Sequence, residues 1–396
     1  MNSLILDFSY SIHIVTVTVM TILFFTIVNE YLKSKIKNTD KTASRYKPVR
    51  SVAILIASKN GEKTISKAVT AAMATGRSVF VVSDGSDDNT AGAARKAGAW
   101  VLELKENVGK PSALYAAYNH FNLSKRYDAV AILDDDVVIA EDFITKTKQT
   151  MDDDCAISVG KNITDWPESK KWNMWLASRA YSYWNYQITL RYIQSAYNVM
   201  NCISGSNSLY RTQVLDQVLS ADTPYIVDDT YWTLETHRLK LGTIKYSRSA
   251  KAWLQDPTNF RDWYKQNLRW MWGTFQGIIG HKIGTKADKF HFAYVLMMLD
   301  WFIYILSGPI TLYVIWSAGL ENLHISLLLL SLGYSAWLIA ASIALRKPRL
   351  ILFVPAIIVT DFIFRFIMVH AFIKALRQPT VERCVWNSPT RFEVAK

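Results

Sequence analysis

The stretch SVAILIASKNGEKTISKAVTAAMATGRSVFVVSD, residues 51–84, decides the fold. It begins with an apolar, β-branched run, continues with helical spacing, and ends in a second β-branched run. Continuous apolar strands separated by helices are typical of a parallel sheet that is covered on both faces. The stretch therefore predicts a strand–helix–strand unit of an α/β fold.

The same alternation continues to residue 136. After a second helical stretch come WVLELK (100–105), SALYAAYNHF (112–121) and AVAILDDD (129–136). Ligands of such sheets bind beyond the carboxyl ends of the strands. Asp84 and the acids from Asp134 to Asp136 fall at predicted strand ends, so we expect a binding site there.

Runs long enough to cross a bilayer lie only near the two ends of the chain. The first, residues 10–28, has no charge and precedes a segment rich in lysine and arginine. By the positive-inside rule it is a retained anchor that delivers the following residues to the cytoplasm. A cleaved signal peptide is the competing interpretation, but a basic n-region and a small-residue cleavage site are missing.

Three further apolar stretches are predicted as membrane helices, at residues 292–318, 324–345 and 350–373. The last contains Asp361 and Arg365, one helical turn apart, which predicts an intramembrane ion pair. Four full crossings would place the basic C-terminus outside. Either the last stretch is re-entrant or interfacial, or the positive-inside rule fails at this end.

The formal net charge of +12 in 396 residues is concentrated beside the first apolar run and near the C-terminus. Anionic membrane lipids explain this distribution more simply than nucleic acid, so no nucleic-acid partner is predicted. Cys155, Cys202 and Cys384 are widely spaced and odd in number, which predicts neither a disulfide framework nor a zinc site.

Two acidic pairs suggest chemistry, although each has a structural alternative. Asp134 and Asp136, at spacing two after a strand, could hold Mg²⁺ or Mn²⁺ on a diphosphate, whereas a single acid there would more often cap a helix. Asp228 and Asp229 begin a helical segment, where the helix dipole also favours acidic side chains. The acids at 152–154 follow no strand and are interpreted as solvated surface.

Basic and aromatic residues complete the pattern. Lys110 in NVGKPSAL does not belong to a phosphate loop, but a lysine at a helix start can still meet a phosphate. YKQNLRW (264–270) places Gln266, Arg269 and Trp270 on one helix face before an apolar run, as in an interfacial helix. The aromatic stretch at 172–200 is interpreted as core or membrane packing ahead of a sugar-stacking surface.

In this order, SKNGE, SDGSDDNT, NVGKPSAL, DDD, SGSNSLYR, VDDTYW and QNLRW resemble the motifs of the membrane-embedded family-2 glycosyltransferases. The nearest groups are hyaluronan synthases, nodulation chitin-oligosaccharide synthases and cellulose synthases, and the resemblance covers about residues 50–272. It implies a cytoplasmic glycosyltransferase A-type (Rossmann-like) domain inserted between transmembrane helices.

The resemblance also implies a role for each motif residue. These are Asn60, Glu62 and Asp84 on the uracil and ribose of a UDP-sugar, Lys110 on its phosphates, Asp134 and Asp136 on Mg²⁺ or Mn²⁺, Asp229 as the base supported by Asp228, Gln266 on the donor, Arg269 on the leaving diphosphate, and Trp270 on the acceptor. The tail CVWNSPTRF looks like the gating tail of hyaluronan synthases, which assigns Trp386 and Arg391 to closure over UDP. The spacing between these two tail residues differs from that of the family. The family also has two consecutive acids at the end of the second strand, where this sequence has Ser83 and Asp84.

The predicted organisation has six parts: an anchor (1–30), a basic segment (31–50), a glycosyltransferase domain (51–260), an interfacial helix (261–290), membrane or re-entrant helices (291–373) and a tail (374–396). The predicted function is a processive plasma-membrane polysaccharide synthase, with GlcNAc as the first choice of sugar. A nonprocessive glycosyltransferase acting on a lipid-linked or short acceptor is the alternative. A transporter and an inactive binding protein are disfavoured, because the cytoplasmic insert is large and the motif acids are present.

Overall fold

The computed structural model describes residues 44–384. The predicted N-terminal anchor and the predicted gating residues Trp386 and Arg391 lie outside the described residues.

The strands and helices follow the predicted alternation through residue 134. The strands are β1 (Val52–Ser58), β2 (Ser78–Asp84), β3 (Trp100–Leu104), β4 (Ala129–Asp134), β5 (Val137–Ile139), β6 (Cys155–Thr164), β7 (Asn207–Arg211) and β8 (Thr243–Leu254). The helices are α1 (Glu62–Ala74), α2 (Thr90–Lys96), α3 (Lys110–His120), α4 (Leu123–Arg126), α5 (Phe143–Lys148), α6 (Met174–Tyr186), α7 (Tyr192–Tyr197), α8 (Thr212–Val218), α9 (Asp228–Arg238), α10 (Phe260–Gly280), α11 (Lys289–Ser317), α12 (Leu323–Leu345) and α13 (Val354–Arg377). A π-helix, Gln187–Arg191, joins α6 to α7.

The eight strands form one sheet in the order β3-β2-β1-β4-β7-β6-β8-β5. The first four are parallel, as predicted, whereas β7 runs antiparallel to both β4 and β6, and β5 runs antiparallel to β8. The parallel sheet predicted from the runs up to residue 136 is confirmed for those first four strands. The rest of the sheet is mixed, because β6 and β8 are parallel to each other.

Both faces of the sheet are covered, as the continuous apolar strands predicted. One core cluster joins alternate strand residues such as Leu55 and Ile132 to α3 and α9, through Leu114 and Trp232. The other joins Ile54 and its neighbours to α1 and α5. This packing makes a rigid base for the loops that follow the strands.

The helices α11, α12 and α13 are long and apolar enough to cross a membrane. The ion pair predicted in the last stretch is confirmed, because the Arg365 guanidinium contacts the Asp361 carboxylate. The hydroxyls of Tyr304 and Tyr334, from α11 and α12, also donate to Asp361. The pair therefore joins all three helices.

The α/β domain packs against these helices through α6. Trp184 contacts Trp337 of α12, with ring centroids 6.1 Å apart, and the Ser178 and Thr360 hydroxyls are 2.9 Å apart. Trp184 also belongs to an apolar cluster with Leu338 and Phe353. For this part of the aromatic stretch, packing is the observed role.

Candidate active site

The carboxyl ends of β1 and β2 carry three predicted donor-site residues. Asn60, in the left-handed region at φ 52°, accepts a hydrogen bond from the Asp87 N–H with its Oδ1 (2.9 Å). Glu62 Oε2 accepts from the Asn89 N–H at 3.4 Å. Both side chains therefore hold the exposed loop that follows β2, at the edge where a nucleotide base is expected.

Asp84, at the end of β2, is 4% exposed and has a clear local task. Its two carboxylate oxygens accept from the N–H groups of Val108 (2.8 Å) and Gly109 (3.0 Å). Burial raises the pKa of Asp84, and these two hydrogen bonds oppose the rise. Asp84 thus fixes the loop that precedes α3 and aims Lys110, the first residue of that helix.

The three acids at the end of β4 differ in burial: Asp134 ends the strand, and Asp135 and Asp136 form the turn before β5. Asp135 is buried and accepts from the Ser58 hydroxyl, so it supports the sheet. Asp134 and Asp136 are partly exposed. This is the spacing-two arrangement that the sequence predicted for a cation.

Lys110 lies between the two acidic pairs. Its Nζ is 2.6 Å from Asp134 Oδ1, 3.2 Å from the Gly205 carbonyl oxygen and 4.0 Å from Asp228 Oδ2. Burial alone would lower the pKa of Lys110, but Asp134 and Asp228 raise it above its ordinary value. A permanently charged ammonium therefore connects the end of β4 to the start of α9.

The acids at the start of α9 are not caps. Val227 occupies the N-cap position and no side chain caps the helix. Asp228 is buried, and its Oδ2 has no hydrogen-bond partner. The Lys110 ammonium, 4.0 Å from that oxygen, compensates its charge in place of a hydrogen bond.

Asp229 is held from two sides. Its Oδ2 accepts from the Gly205 N–H at 2.9 Å, and the Cys202 thiol donates to Oδ1 at 3.5 Å. Burial, followed by the neighbouring Asp228 charge, raises the pKa of Asp229 to about 6. A carboxylate with this pKa is suited to accept a proton near neutral pH.

Arg269 of α10 lies near these acids. Arg269 is close enough to Asp228, Asp229 and Asp134 for their charges to oppose the lowering of its pKa by burial. One turn earlier, Gln266 Oε1 accepts from the Arg179 guanidinium at 2.6 Å. Trp270 lies beneath the same guanidinium, whose carbon is 4.5 Å from a ring centroid of the indole. The structure therefore brings Arg269 near the acids, whereas Gln266 and Trp270 are held by Arg179.

The family model described as "Glycosyltransferase like family 2" matches residues 48–273, more than half of the chain. The chain belongs to this family. It is a glycosyltransferase with an A-type α/β fold followed by three helices that are long and apolar enough to cross a membrane.

Two curated relatives of this glycosyltransferase are poly-beta-1,6-N-acetyl-D-glucosamine synthases. The protein of Staphylococcus aureus (strain COL) is 24% identical over 257 residues, which are 63% of this chain and 60% of the relative. That of Staphylococcus epidermidis is 24% identical over 262 residues, 64% of this chain and 62% of the relative. The chain thus spans about three-fifths of the length of these relatives. They are neither hyaluronan nor cellulose synthases, so the motif resemblance is shown at the level of the family.

Among solved structures, the glycosyltransferase resembles the mannosyltransferase PcManGT from Pyrobaculum calidifontis, in complex with GDP-Man and Mn²⁺. The TM-score is 0.53 at 16% identity, and the match covers 90% of this chain and 97% of that one. This likeness supports the fold, including the helices that follow the domain.

Three contacts of the site were not predicted from the sequence. They are the Gly205 N–H and the Cys202 thiol on Asp229, and the Arg179 guanidinium over Trp270. The motif SGSNSLYR and the arginines of the aromatic stretch were visible, but nothing in their local pattern indicates partners 24 to 91 residues away. Only the fold brings these residues together.

The end of the described chain also returns to the site. Gln378 accepts through its carbonyl oxygen from Gln276 (2.9 Å) and Trp272 (3.2 Å) of α10. The Val381 N–H donates to the Pro224 carbonyl oxygen, and the Cys384 thiol donates to that of Ile226. The segment after α13 therefore packs beside the residues that precede Asp228.

The donor set fits a hard divalent cation. Within residues 44–384, no three His, Cys, Asp or Glu side chains converge into a preformed cage. Mg²⁺ at nucleotide sites usually takes only one or two carboxylates and completes its shell with phosphates and water. Asp134 and Asp136 supply two partly exposed carboxylates of this kind, and Lys110 pairs with one oxygen of Asp134.

Proposed function

We propose that this protein is a membrane glycan synthase that transfers GlcNAc from UDP-GlcNAc to a growing glycan, with inversion, and extrudes the product. The observation that carries the proposal is the position of Asp229 at the start of α9, with a raised pKa and with Lys110 and Arg269 nearby. A base and two cations at the carboxyl end of an A-type sheet are what glycosyl transfer from a diphosphate requires.

In the proposed reaction Asp229 takes the proton of the acceptor hydroxyl. The hydroxyl oxygen attacks the anomeric carbon as the bond to the diphosphate breaks, and UDP leaves. Lys110 and Arg269 face the negative charge that develops on the diphosphate, and Asp228 supports the base. Inversion follows because attack and departure occur on opposite sides of the anomeric carbon.

Asn60, Glu62, Asp84 and Gln266 are proposed for the nucleotide and donor. Asp134 and Asp136 would hold Mg²⁺ or Mn²⁺, which would neutralise charge on the diphosphate. The fold neighbour bound to GDP-Man and Mn²⁺ supports a nucleotide-sugar donor and a metal of this kind. The names of the staphylococcal relatives support GlcNAc and repeated addition.

The acceptor end is proposed to be the growing glycan, with Trp270 as its stacking surface. The domain would face the cytoplasm of a plasma-membrane enzyme in contact with anionic lipids, and the tail with Trp386 and Arg391 would close over the nucleotide. These assignments rest on the motifs and on charge distribution.

A direct test uses the full chain in nanodiscs with Mg²⁺ or Mn²⁺ and a panel of UDP-GlcNAc, UDP-glucose, UDP-glucuronate and GDP-mannose, singly and in pairs. The release of nucleoside diphosphate (UDP or GDP) and the length of the product are measured with and without EDTA. We expect turnover of UDP-GlcNAc alone, loss of turnover in EDTA, and a long polymer. Asp229→Asn should abolish turnover, whereas Asp153→Asn, at an exposed acid of the same charge, should not.

A product with one added sugar would favour the nonprocessive alternative. Turnover of another donor would replace GlcNAc and leave the rest of the proposal intact. Equal release of nucleotide by the parent and Asp229→Asn would reject the assignment of the base.

A further inference from the structure

Arg179 on α6 is a buried arginine with an unusual set of partners. It is 4% exposed, and its Nη1 and Nη2 donate to Asn267 Oδ1 (3.2 Å) and Gln266 Oε1 (2.6 Å). Its Nε is 3.4 Å from Asp256 Oδ1, and its guanidinium lies over Trp270. One side chain thus contacts three residues of α10 and the loop that precedes that helix.

The charge of this arginine is balanced within the site. Asp256 is buried, and the Tyr183 hydroxyl donates to its Oδ1 at 3.1 Å. Burial raises the pKa of Asp256 to about 6, and Arg179 opposes the rise. A buried pair of this kind adds little stability compared with apolar packing, so its geometry is the better guide to its role.

The contacts of the Arg179 guanidinium restrict the orientation of Trp270. A planar guanidinium that stacks on an indole while both of its terminal nitrogens bond to the same helix fixes the ring in one orientation. It also covers one ring face, so that a sugar has only the opposite face or the edge available. Lysine, a point charge on a flexible stem, cannot make the stack and the two directed hydrogen bonds together.

We propose that Arg179 is a positioning residue for the acceptor, which acts by fixing Trp270 through the stack that its hydrogen bonds to α10 hold in place. This inference rests on the proposed function, because it takes Trp270 as the acceptor surface. The proposed function assigns Arg179 itself no contact with the donor or with the reacting atoms. Its replacement therefore changes acceptor use more than donor use, which it reaches only through its hydrogen bond to Gln266.

The test compares the full-length parent with Arg179→Lys in nanodiscs, using UDP-GlcNAc as donor and β-linked GlcNAc oligomers as added acceptors. We expect the acceptor KM of Arg179→Lys to rise about fivefold to tenfold, the loss of one stacked cation–π contact expressed as affinity. The KM for UDP-GlcNAc should change by no more than about threefold, and so by less than the acceptor KM, because the donor is affected only through Gln266.

A matched control is Arg349→Lys. Arg349 also stacks on an indole, 5.1 Å from a ring centroid of Trp166, and also bonds to a carboxylate, Glu168 (2.8 Å). It lies on a different surface, so its replacement should leave the acceptor KM unchanged. If both arginine variants raise the acceptor KM equally, the rise does not depend on Trp270, and the inference is wrong.

Tyr183→Phe covers the case in which Arg179→Lys does not fold. It removes only the hydroxyl that supports Asp256, so the arginine should loosen and the acceptor KM should rise in the same direction by a smaller factor. An unchanged acceptor KM in every folded variant overturns the inference while the parent remains active. A parent without turnover of UDP-GlcNAc rejects the proposed function, and this inference with it.

Discussion

At the scale of single residues, the most informative group is Asp229, because its titration can be measured through activity. Its raised pKa of about 6 comes first from burial and then from the Asp228 charge. A base must be deprotonated, so kcat/KM should fall about tenfold per pH unit below this pKa. The measurement is a pH profile of UDP release from pH 4.5 to 8.

Asp228→Asn tests the cause of that pKa. Removing the neighbouring negative charge lowers the pKa of Asp229, so the acid limb of the profile should move to lower pH even though the maximal rate falls. Asp153→Asn, at an exposed acid, should leave the limb in place. A limb that moves to higher pH would contradict the account.

Gly205 is the second residue with a specific requirement. An added Cβ would lie 3.0 Å from Asp229 Oδ2 and 3.1 Å from Asp229 Cβ, so the carboxylate must shift by a few tenths of an ångström. We expect Gly205→Ala to lower kcat by about 10-fold to 100-fold, because small misplacements of a catalytic group are costly. UDP affinity, measured by calorimetry, should not change, and a parallel loss of UDP binding would point to a wider rearrangement.

At the scale of elements, α10 owes its close contact with α9 to small residues. At Gly273 an added Cβ would be 2.5 Å from Val227 Cγ2, and at Gly277 it would be 2.6 Å from Leu234 Cδ1. Val227 directly precedes Asp228. The spacing of the two helices therefore determines where the acids stand.

Gly273→Ala should destabilise the protein by about 1–3 kcal/mol through overpacking and should also lower kcat, because Val227 has to move. The control is Gly333→Ala in α12, where the added Cβ meets nothing within 4 Å. There the gain in helix propensity, up to about 1 kcal/mol, should leave activity unchanged. Thermal unfolding in nanodiscs and kcat together test the pair, and equal behaviour of the two variants would refute the packing argument.

At the scale of the whole molecule, the membrane helices depend on one ionic cluster. Asp361 receives Arg365 and the hydroxyls of Tyr304 and Tyr334, and Arg365 Nε donates to the Tyr304 carbonyl oxygen at 3.0 Å. Removing one partner leaves an uncompensated charge in a low-dielectric region. Arg365→Met or Asp361→Asn alone should cost about 3–5 kcal/mol.

The double variant Asp361→Asn/Arg365→Met should cost less than the sum of the single changes, because neither charge is then left alone. Arg95→Met, which breaks the exposed pair with Glu103, is the comparison and should cost about 0–1 kcal/mol. Additive losses in the membrane pair, measured by unfolding in nanodiscs, would mean that the two residues do not act as a unit.

Much of the domain could be predicted because its information is local. The runs at 52–58, 78–84 and 129–134 are apolar except near their ends, and each is separated from the next by helical periodicity, so the parallel half of the sheet followed. The pair Asp134 and Asp136 was predicted from its spacing after an apolar run, and both side chains are partly exposed at the end of β4. The mixed half, made of β7, β6, β8 and β5, did not follow, because pairing between distant strands leaves no short-range signal.

The sequence by itself determined the order of motifs, the α/β domain, the three apolar helices and the i, i+4 ion pair between Asp361 and Arg365, since each of these depends on neighbours within a few residues. The tertiary structure alone decided that Gly205 holds Asp229, that Arg179 covers one face of Trp270, and that Asp228 is buried instead of capping its helix. Those contacts join separate elements, and their geometry arises only when the sheet, α6, α9 and α10 pack together.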